Sequence, residues 1–251
     1  MRRKGIPVIV ALVLIVIVAV VGFGSRLLEK YSYSKEVVDL DEYYGVEEGE
    51  LAILLQNDMI SDRAYVRDGR IYFELNTVKT YLNEGFYADR NEQKILYTTA
   101  LDTATAVFGA REYTDGAGGH ALEYEACFAE GDGIFLAADY VKHFTNYSWL
   151  AFERHLQVYT EWGTKQTMEV TKDTQVRLEG GIKSPILREA EAGETVEVLE
   201  QGEDWSLVKT SDSVIGYLEN KRLDNLQTVT EEPVRDYVEE EYTSVRLPQK
   251  V

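Results

Sequence analysis

The chain has 251 residues, with 26 Lys and Arg against 44 Asp and Glu, a net charge of −18 and a single cysteine, Cys127. One thiol excludes an intramolecular disulfide and a thiolate zinc cluster, so the cores must be apolar. The acidic surplus repels nucleic acid and other polyanions, and no nucleic-acid partner is expected.

Arg2, Arg3 and Lys4 precede an uncharged apolar run from Ile6 to Phe23. As a helix rising about 1.5 Å per residue, that run spans about 27 Å, close to the hydrocarbon core of a bilayer. It is longer than the core of a cleaved signal peptide, roughly 7 to 15 residues, although Gly22-Phe23-Gly24 also offers a small-x-small pattern that a signal peptidase accepts. Length favours an uncleaved anchor. The spacing therefore predicts a cytoplasmic tip and single transmembrane helix over residues 1–30, meeting the membrane through residues 6–24. The basic flank places the N-terminus in the cytoplasm and the bulk of the chain outside the cell. Five basic residues and only Glu29 among the acidic ones lie before residue 31, which leaves a net charge of −22 beyond it. Such a charge keeps an ectodomain soluble. Residues 31–49, ending in Glu47-Glu48-Gly49, read as an acidic linker.

Residues 50–163 carry an internal repeat. At an offset of 63, Ile71 falls on Ile134, Tyr72 on Phe135, Phe73 on Leu136, Val78 on Val141, Tyr81 on Phe144 and Phe86 on Trp149. The two copies, 64–99 and 127–160, each predict a strand, a short helix and a hairpin, an α+β arrangement. Asp68-Gly69 and Gly131-Asp132-Gly133 supply the opening turns, and Asp89 to Glu92 turns the first hairpin. Between the copies, Thr114-Asp115-Gly116-Ala117-Gly118-Gly119 lacks the Gly-Lys-Ser/Thr ending of a phosphate loop and reads as a flexible connector.

This repeat resembles the stalk-like domain named after the N-terminal domain of copper amine oxidases, over roughly residues 50–162. The family name raises copper, which the residues oppose. Only His120, His143 and His155 occur, with no His-x-His pair, so no metal or cofactor is expected. His143 aligns with Thr80 and predicts an exposed helix position. Cys127 aligns with Ala64 and predicts a small buried thiol.

Residues 167–223 show short alternating runs, Thr195-Val196-Glu197-Val198 and Ser206-Leu207-Val208-Lys209, with turns at Gly180-Gly181, Gly193, Gly202 and Ser211 to Ser213. That spacing suits a small all-β barrel. Val176-Arg177, Ser184 to Leu187, Ala192-Gly193-Glu194, Trp205 ahead of Ser206-Leu207-Val208, and Gly216-Tyr217-Leu218 ahead of Leu223 occur in the order of the bacterial SH3-like domain, which this segment resembles. Leu178 to Ile182 departs from that family's short loop, and Ser213-Val214-Ile215 lacks its Asp-Gly turn. The resemblance implies binding to peptidoglycan or cell-wall peptides, or simple spacing. Trp205 and Tyr217 are the candidate contact residues; the alternative is that Trp205 caps the core and Tyr217 packs within a strand.

No Gly-x-Ser-x-Gly elbow, His-Glu-x-x-His motif or Cys-His pair in a recognisable context is present, so no catalysis is expected from this chain. Acidic runs such as Glu239-Glu240-Glu241 read as solvated faces. Residues 224–251 read as a second acidic linker leading toward another domain. The order of anchor, stalk and SH3-like module resembles the N-terminal half of Gram-positive surface proteins that end in a glycoside hydrolase family 18 domain. That family's Asp-x-x-Asp-x-Asp-x-Glu motif is absent. Two readings stay open: an envelope-binding or spacer protein, or the targeting half of a longer glycan hydrolase.

Overall fold

The computed structural model describes residues 14, 16, 18, 30–99 and 102–232. It divides into two compact units, one built mainly on Leu40–Lys165 and one on Gln166–Gln227 together with the residues up to Asp39. Among the described residues, no helix is long and apolar enough to cross a membrane. The span expected over residues 6–24 lies outside them, apart from Leu14, Val16 and Val18, which are helical and exposed.

The first unit runs α1 (Leu40–Tyr44), β1 (Glu50–Leu55), β2 (Asp58–Arg67), β3 (Arg70–Glu74) and α2 (Leu75–Thr77), which passes into a π-helical turn over Val78–Leu82. It continues through β4 (Phe86–Asp89), β5 (Lys94–Thr98), β6 (Thr103–Val107), β7 (Glu112–Asp115), β8 (Gly118–Ala121), β9 (Cys127–Glu130), β10 (Gly133–Ala137), α3 (Ala138–Lys142), β11 (Ser148–Ala151) and β12 (His155–Tyr159). One seven-stranded sheet has the order β11-β12-β1-β2-β3-β10-β9, and a five-stranded sheet runs β4-β5-β6-β7-β8.

The internal repeat is visible as β2-β3-α2-β4-β5 against β9-β10-α3-β11-β12. β3 and β10 pair antiparallel with Phe73 opposite Leu136, the same two residues that the 63-residue offset equates. The copies therefore meet about a local two-fold axis, and each places a fully buried strand residue on it: Phe73 is 1% exposed and Leu136 0%. The opening turn of the first copy is tight because Asp68 and Gly69 both adopt left-handed φ, +51° and +73°, as a two-residue hairpin demands. Asp89 Oδ1 accepts from the backbone N–H groups of Asn91 and Glu92, which turns the β4–β5 hairpin. β1 sits between β12 and β2, so both its edges are paired, and Leu51 to Leu54 are all buried, which shows that both its faces are covered. β12 runs parallel to β1, and the buried Gln157 side chain donates to the carbonyls of Leu54 and Gln56 across that pair.

Three expectations for this unit need correction. The helices are single turns, so the unit is mostly β-sheet rather than α+β. Thr114 to Gly119 is a tight hairpin and no flexible connector: Thr114 opposes Gly119, and Asp115 Oδ1 accepts from the N–H groups of Ala117 and Gly118 and lies 2.9 Å from His120 Nε2. Residues 31–49 include α1, whose Tyr44 is buried and stacks on His155 at 4.7 Å.

The second unit contains β13 (Thr164–Val170), β14 (Thr174–Arg177), β15 (Ile186–Ala190), β16 (Thr195–Gln201), β17 (Trp205–Lys209), β18 (Ile215–Glu219), a 3-10 turn over Asn220–Arg222 and β19 (Leu223–Thr230), in the sheet order β15-β14-β18-β17-β16-β13-β19. The start of the second expected linker is thus a strand. Alternation sorts the side chains. Ser206, Val208, Gly216 and Leu218 point into the core, while Trp205, Leu207, Tyr217 and Glu219 share the opposite face. Gly216 has to be glycine, since a Cβ there would sit 2.7 Å from the Arg177 carbonyl oxygen and 2.7 Å from Val176 Cγ1. The missing Asp-Gly turn is replaced by Asp212-Ser213, with Ser213 held at φ +60° and its N–H bonded to the Thr210 carbonyl.

Residues preceding α1 also join this second unit. Ser34 N–H donates to the Ile182 carbonyl, Val38 N–H to that of Ile186, and Ile186 N–H to that of Glu36, with Val37 bridging Ile186 in parallel register. The expected linker over residues 31–49 is therefore, at its start, bound to the beginning of β15 by a parallel bridge.

Candidate ligand cleft on the SH3-like module

The face that carries Trp205 and Tyr217 holds the cleft. β14, β18 and β17 lie side by side, and their registers place Arg177 beside Tyr217, Tyr217 beside Leu207, and Trp205 beside Glu219. Directly opposed residues on adjacent strands project to the same face, so these side chains form two rows. A cleft of about 280 Å³ opens there, and its lining includes Trp205, Tyr33, Arg177 and Arg222 together with the carboxylates of Asp173, Glu189 and Glu219.

Arg177 dominates its chemistry. The residue is only 1% exposed although it sits on the outer face. Its guanidinium donates to the Ser184 carbonyl at 2.6 Å, to Gln175 Oε1 at 2.6 Å and to the Ser34 carbonyl at 3.3 and 3.2 Å. Burial pushes its pKa down, while Tyr33, Glu219 and Glu189 push it back up, and a guanidinium remains charged throughout. Tyr33 lies with Arg177 5.4 Å from its ring centroid, a cation–π distance. Its hydroxyl donates to Glu219 Oε1 at 2.8 Å and accepts from Lys221 Nζ at 3.0 Å.

Trp205 lines the cleft, half-buried. Tyr217 shares its face but stands outside the lining, and Gly180 lies against both: a Cβ at Gly180 would touch Trp205 Cβ at 3.2 Å and Tyr217 Cδ1 at 3.4 Å. The loop from Leu178 to Ile182 thus packs against both aromatics, each half-buried, and of the two only Trp205 contributes to the cleft lining. Sequence reasoning missed Arg177, Glu219 and Tyr33. Arg177 carried a faint signal, since it follows the core residue Val176 in a strand and so had to face outward; Tyr33 lies more than a hundred residues away and carried none.

The remaining candidates fall elsewhere. Cys127 is fully buried, its thiol directed at the Ala106 carbonyl, and burial raises its pKa to about 12. His155 is buried between Tyr44 and Phe152, His120 stacks on Tyr113 at 4.5 Å, and His143 is an exposed residue closing α3. Among the described residues, no three of His, Cys, Asp and Glu converge on a point that could hold a metal.

A short antiparallel sheet with a small aliphatic core, a glycine forced by strand approach and an aromatic-rimmed cleft defines an SH3-like module. In agreement, residues 172–224 match the family described as the bacterial SH3 domain. No curated protein and no solved structure matches the chain. The family match covers the SH3-like module alone. It extends neither to the stalk-domain resemblance of residues 50–162 nor to an association with glycoside hydrolase family 18.

Proposed function

We propose that this chain is a membrane-anchored, extracellular envelope-binding protein, non-catalytic in itself, in which the repeat unit serves as a spacer and the SH3-like module contacts cell-wall peptide. The observation that carries this reading is the cleft beside Trp205, where carboxylates (Asp173, Glu189, Glu219) and guanidinium groups (Arg177, Arg222) face one another. Mixed charge of this kind complements a zwitterionic peptide better than a uniformly anionic polymer. The acidic chain gains nothing from long-range attraction to an anionic wall, so binding must rest on short-range stacking and hydrogen bonds. An affinity of roughly 10 to 1,000 μM follows, or about −4 to −7 kcal/mol.

The test is co-sedimentation of the full chain with purified peptidoglycan at low and at physiological salt. Binding is expected, with Trp205→Ala reducing it about tenfold at an unchanged melting midpoint, as loss of an aromatic anchor of about 1.4 kcal/mol would do. No sedimentation at either salt, with a folded chain, leaves the spacer role alone. The orientation is checked separately: protease added to intact protoplasts should remove the bulk of the chain, and full protection of the SH3-like module would refute it.

A further inference from the structure

β15 ends the sheet of the SH3-like module, and an edge strand presents unpaired N–H and C=O groups that another strand can take up. Here the occupant comes from the same chain. Val37 bridges Ile186, the first residue of β15, in parallel register through the Glu36–Ile186 and Val38–Ile186 backbone bonds, Ser34 bonds to Ile182 in the loop ahead of β15, and Tyr33 lines the cleft. Its hydroxyl is gripped by Glu219 and Lys221, and the next carbonyl, that of Ser34, is gripped by Arg177.

Two features mark this segment as exchangeable. No residue from 31 to 39 is buried, with Tyr33 43% and Val37 66% exposed, so the segment gives the module no core side chain. What it does give is main-chain pairing on an edge plus one side chain in a pocket, the pattern of contacts by which extended peptides are recognised on sheet edges. Among the described residues, moreover, the Arg177 guanidinium donates to neutral oxygens, those of Ser34, Ser184 and Gln175. An incoming carboxylate would make a stronger, charge-assisted bond than the Ser34 carbonyl does.

We propose that the β15 edge and the adjoining cleft form one groove for an extended peptide, with an aromatic side chain between Arg177 and Lys221 and a carboxylate or carbonyl on Arg177, and that residues 33–38 are its resident occupant. The module then accepts an external peptide only when this segment leaves. This deepens the reading of the module as a peptide binder and rests on it. Because the resident segment is tethered, it competes at an effective concentration of about millimolar, and it lowers the apparent affinity of any free peptide by the fraction of grooves left open.

The probe is a fluorescein-labelled peptide with the sequence of residues 31–39, followed by anisotropy against the full chain. Wild type should bind it weakly. Tyr33→Ala combined with Val38→Pro, which removes the pocket side chain and one edge donor, should bind it at least tenfold more tightly. Tyr33→Phe, which keeps the ring and loses the hydroxyl bonds, should fall between them and serves if the double variant does not fold. Equal binding by wild type and the folded variants, or no binding by any of them, overturns the proposal. Peptidoglycan sedimentation of the same proteins separates the two ideas. Variants that bind the peptide but not the wall leave this inference standing and remove wall binding. Wild type sedimenting as strongly as the variants does the reverse.

Discussion

The two units solve the same problem, a mostly β chain without disulfides, with different materials. The repeat unit is held by aromatic packing: Phe73, Phe86, Tyr140 and Tyr147 are among its fully buried side chains, and rings cluster around Phe144 with centroids 4.6 to 5.9 Å apart. The SH3-like module buries no aromatic ring; its core is Val170, Val176, Leu187, Val196, Val208 and Leu218, joined by buried Arg177, Lys209, Ser206 and Thr210. A small sheet has too little interior to sequester large rings completely, so its aromatics stay at the surface and its polar groups are partly drawn in. That difference leaves aromatic area and charge together at the candidate cleft of the small unit, where Trp205 and Tyr33 stand beside Arg177 and Glu219.

Truncation in the repeat unit should produce the largest effect. Phe73→Ala is expected to cost about 3 to 5 kcal/mol and Leu136→Ala about 2 to 5, by loss of buried area plus a cavity. Since the two face each other across the local two-fold, the double variant should cost less than the sum, which urea unfolding would read as a coupling energy. Strict additivity would break the two-fold account.

Next comes the polar half of the contrast. Lys209 Nζ lies 3.0 Å from Glu197 Oε2 across the β16–β17 pair, with side-chain exposures of 5% and 16%. Lys209→Ala strands a poorly hydrated carboxylate and should cost about 2 to 4 kcal/mol, whereas Lys209→Met with Glu197→Leu should recover most of that loss. Failure of the double variant to recover would show the pair to be more than a replaceable filler. Gly216→Ala should cost about 1 to 3 kcal/mol, because its Cβ would press on the β14 backbone, which cannot swing aside as a side-chain tip can.

The smallest expected effect concerns pH. The Asp115 carboxyl is held below the usual carboxylate range, chiefly by its bond to His120 and then by the N–H groups of Ala117 and Gly118. A pKa depressed in the folded state means a stabilisation present above the unfolded value of about 3.9 and lost as pH falls through the folded value. Protection of the β7–β8 hairpin amides, measured against their intrinsic exchange rates, should therefore fall in acid, and Asp115→Ala should remove that acid dependence. Because the site is close to solvent, global stability should hardly move.

Much of this arrangement is legible in residues close together in the chain. The Asp68-Gly69 turn and the run of SH3-like elements from Val176 to Leu223 are local patterns, the 63-residue offset that equates Cys127 with Ala64 is a comparison of two such patterns, and period-two alternation determined which of their side chains face inward. Glycine was a poorer guide. Thr114 to Gly119 reads as a flexible stretch, yet Asp115 pins it by bonds that depend on where its side chain points, which composition does not encode. Tertiary structure alone decided the cleft. Trp205 was nameable from its place in the strand order, but Arg177 met the Ser34 carbonyl across 143 positions of sequence and Tyr33 met Glu219 across 186. Strand periodicity is written residue by residue, whereas the occupant of an edge and a pocket is chosen by backbone groups that every residue carries alike, so that choice appears only once the strands are in place.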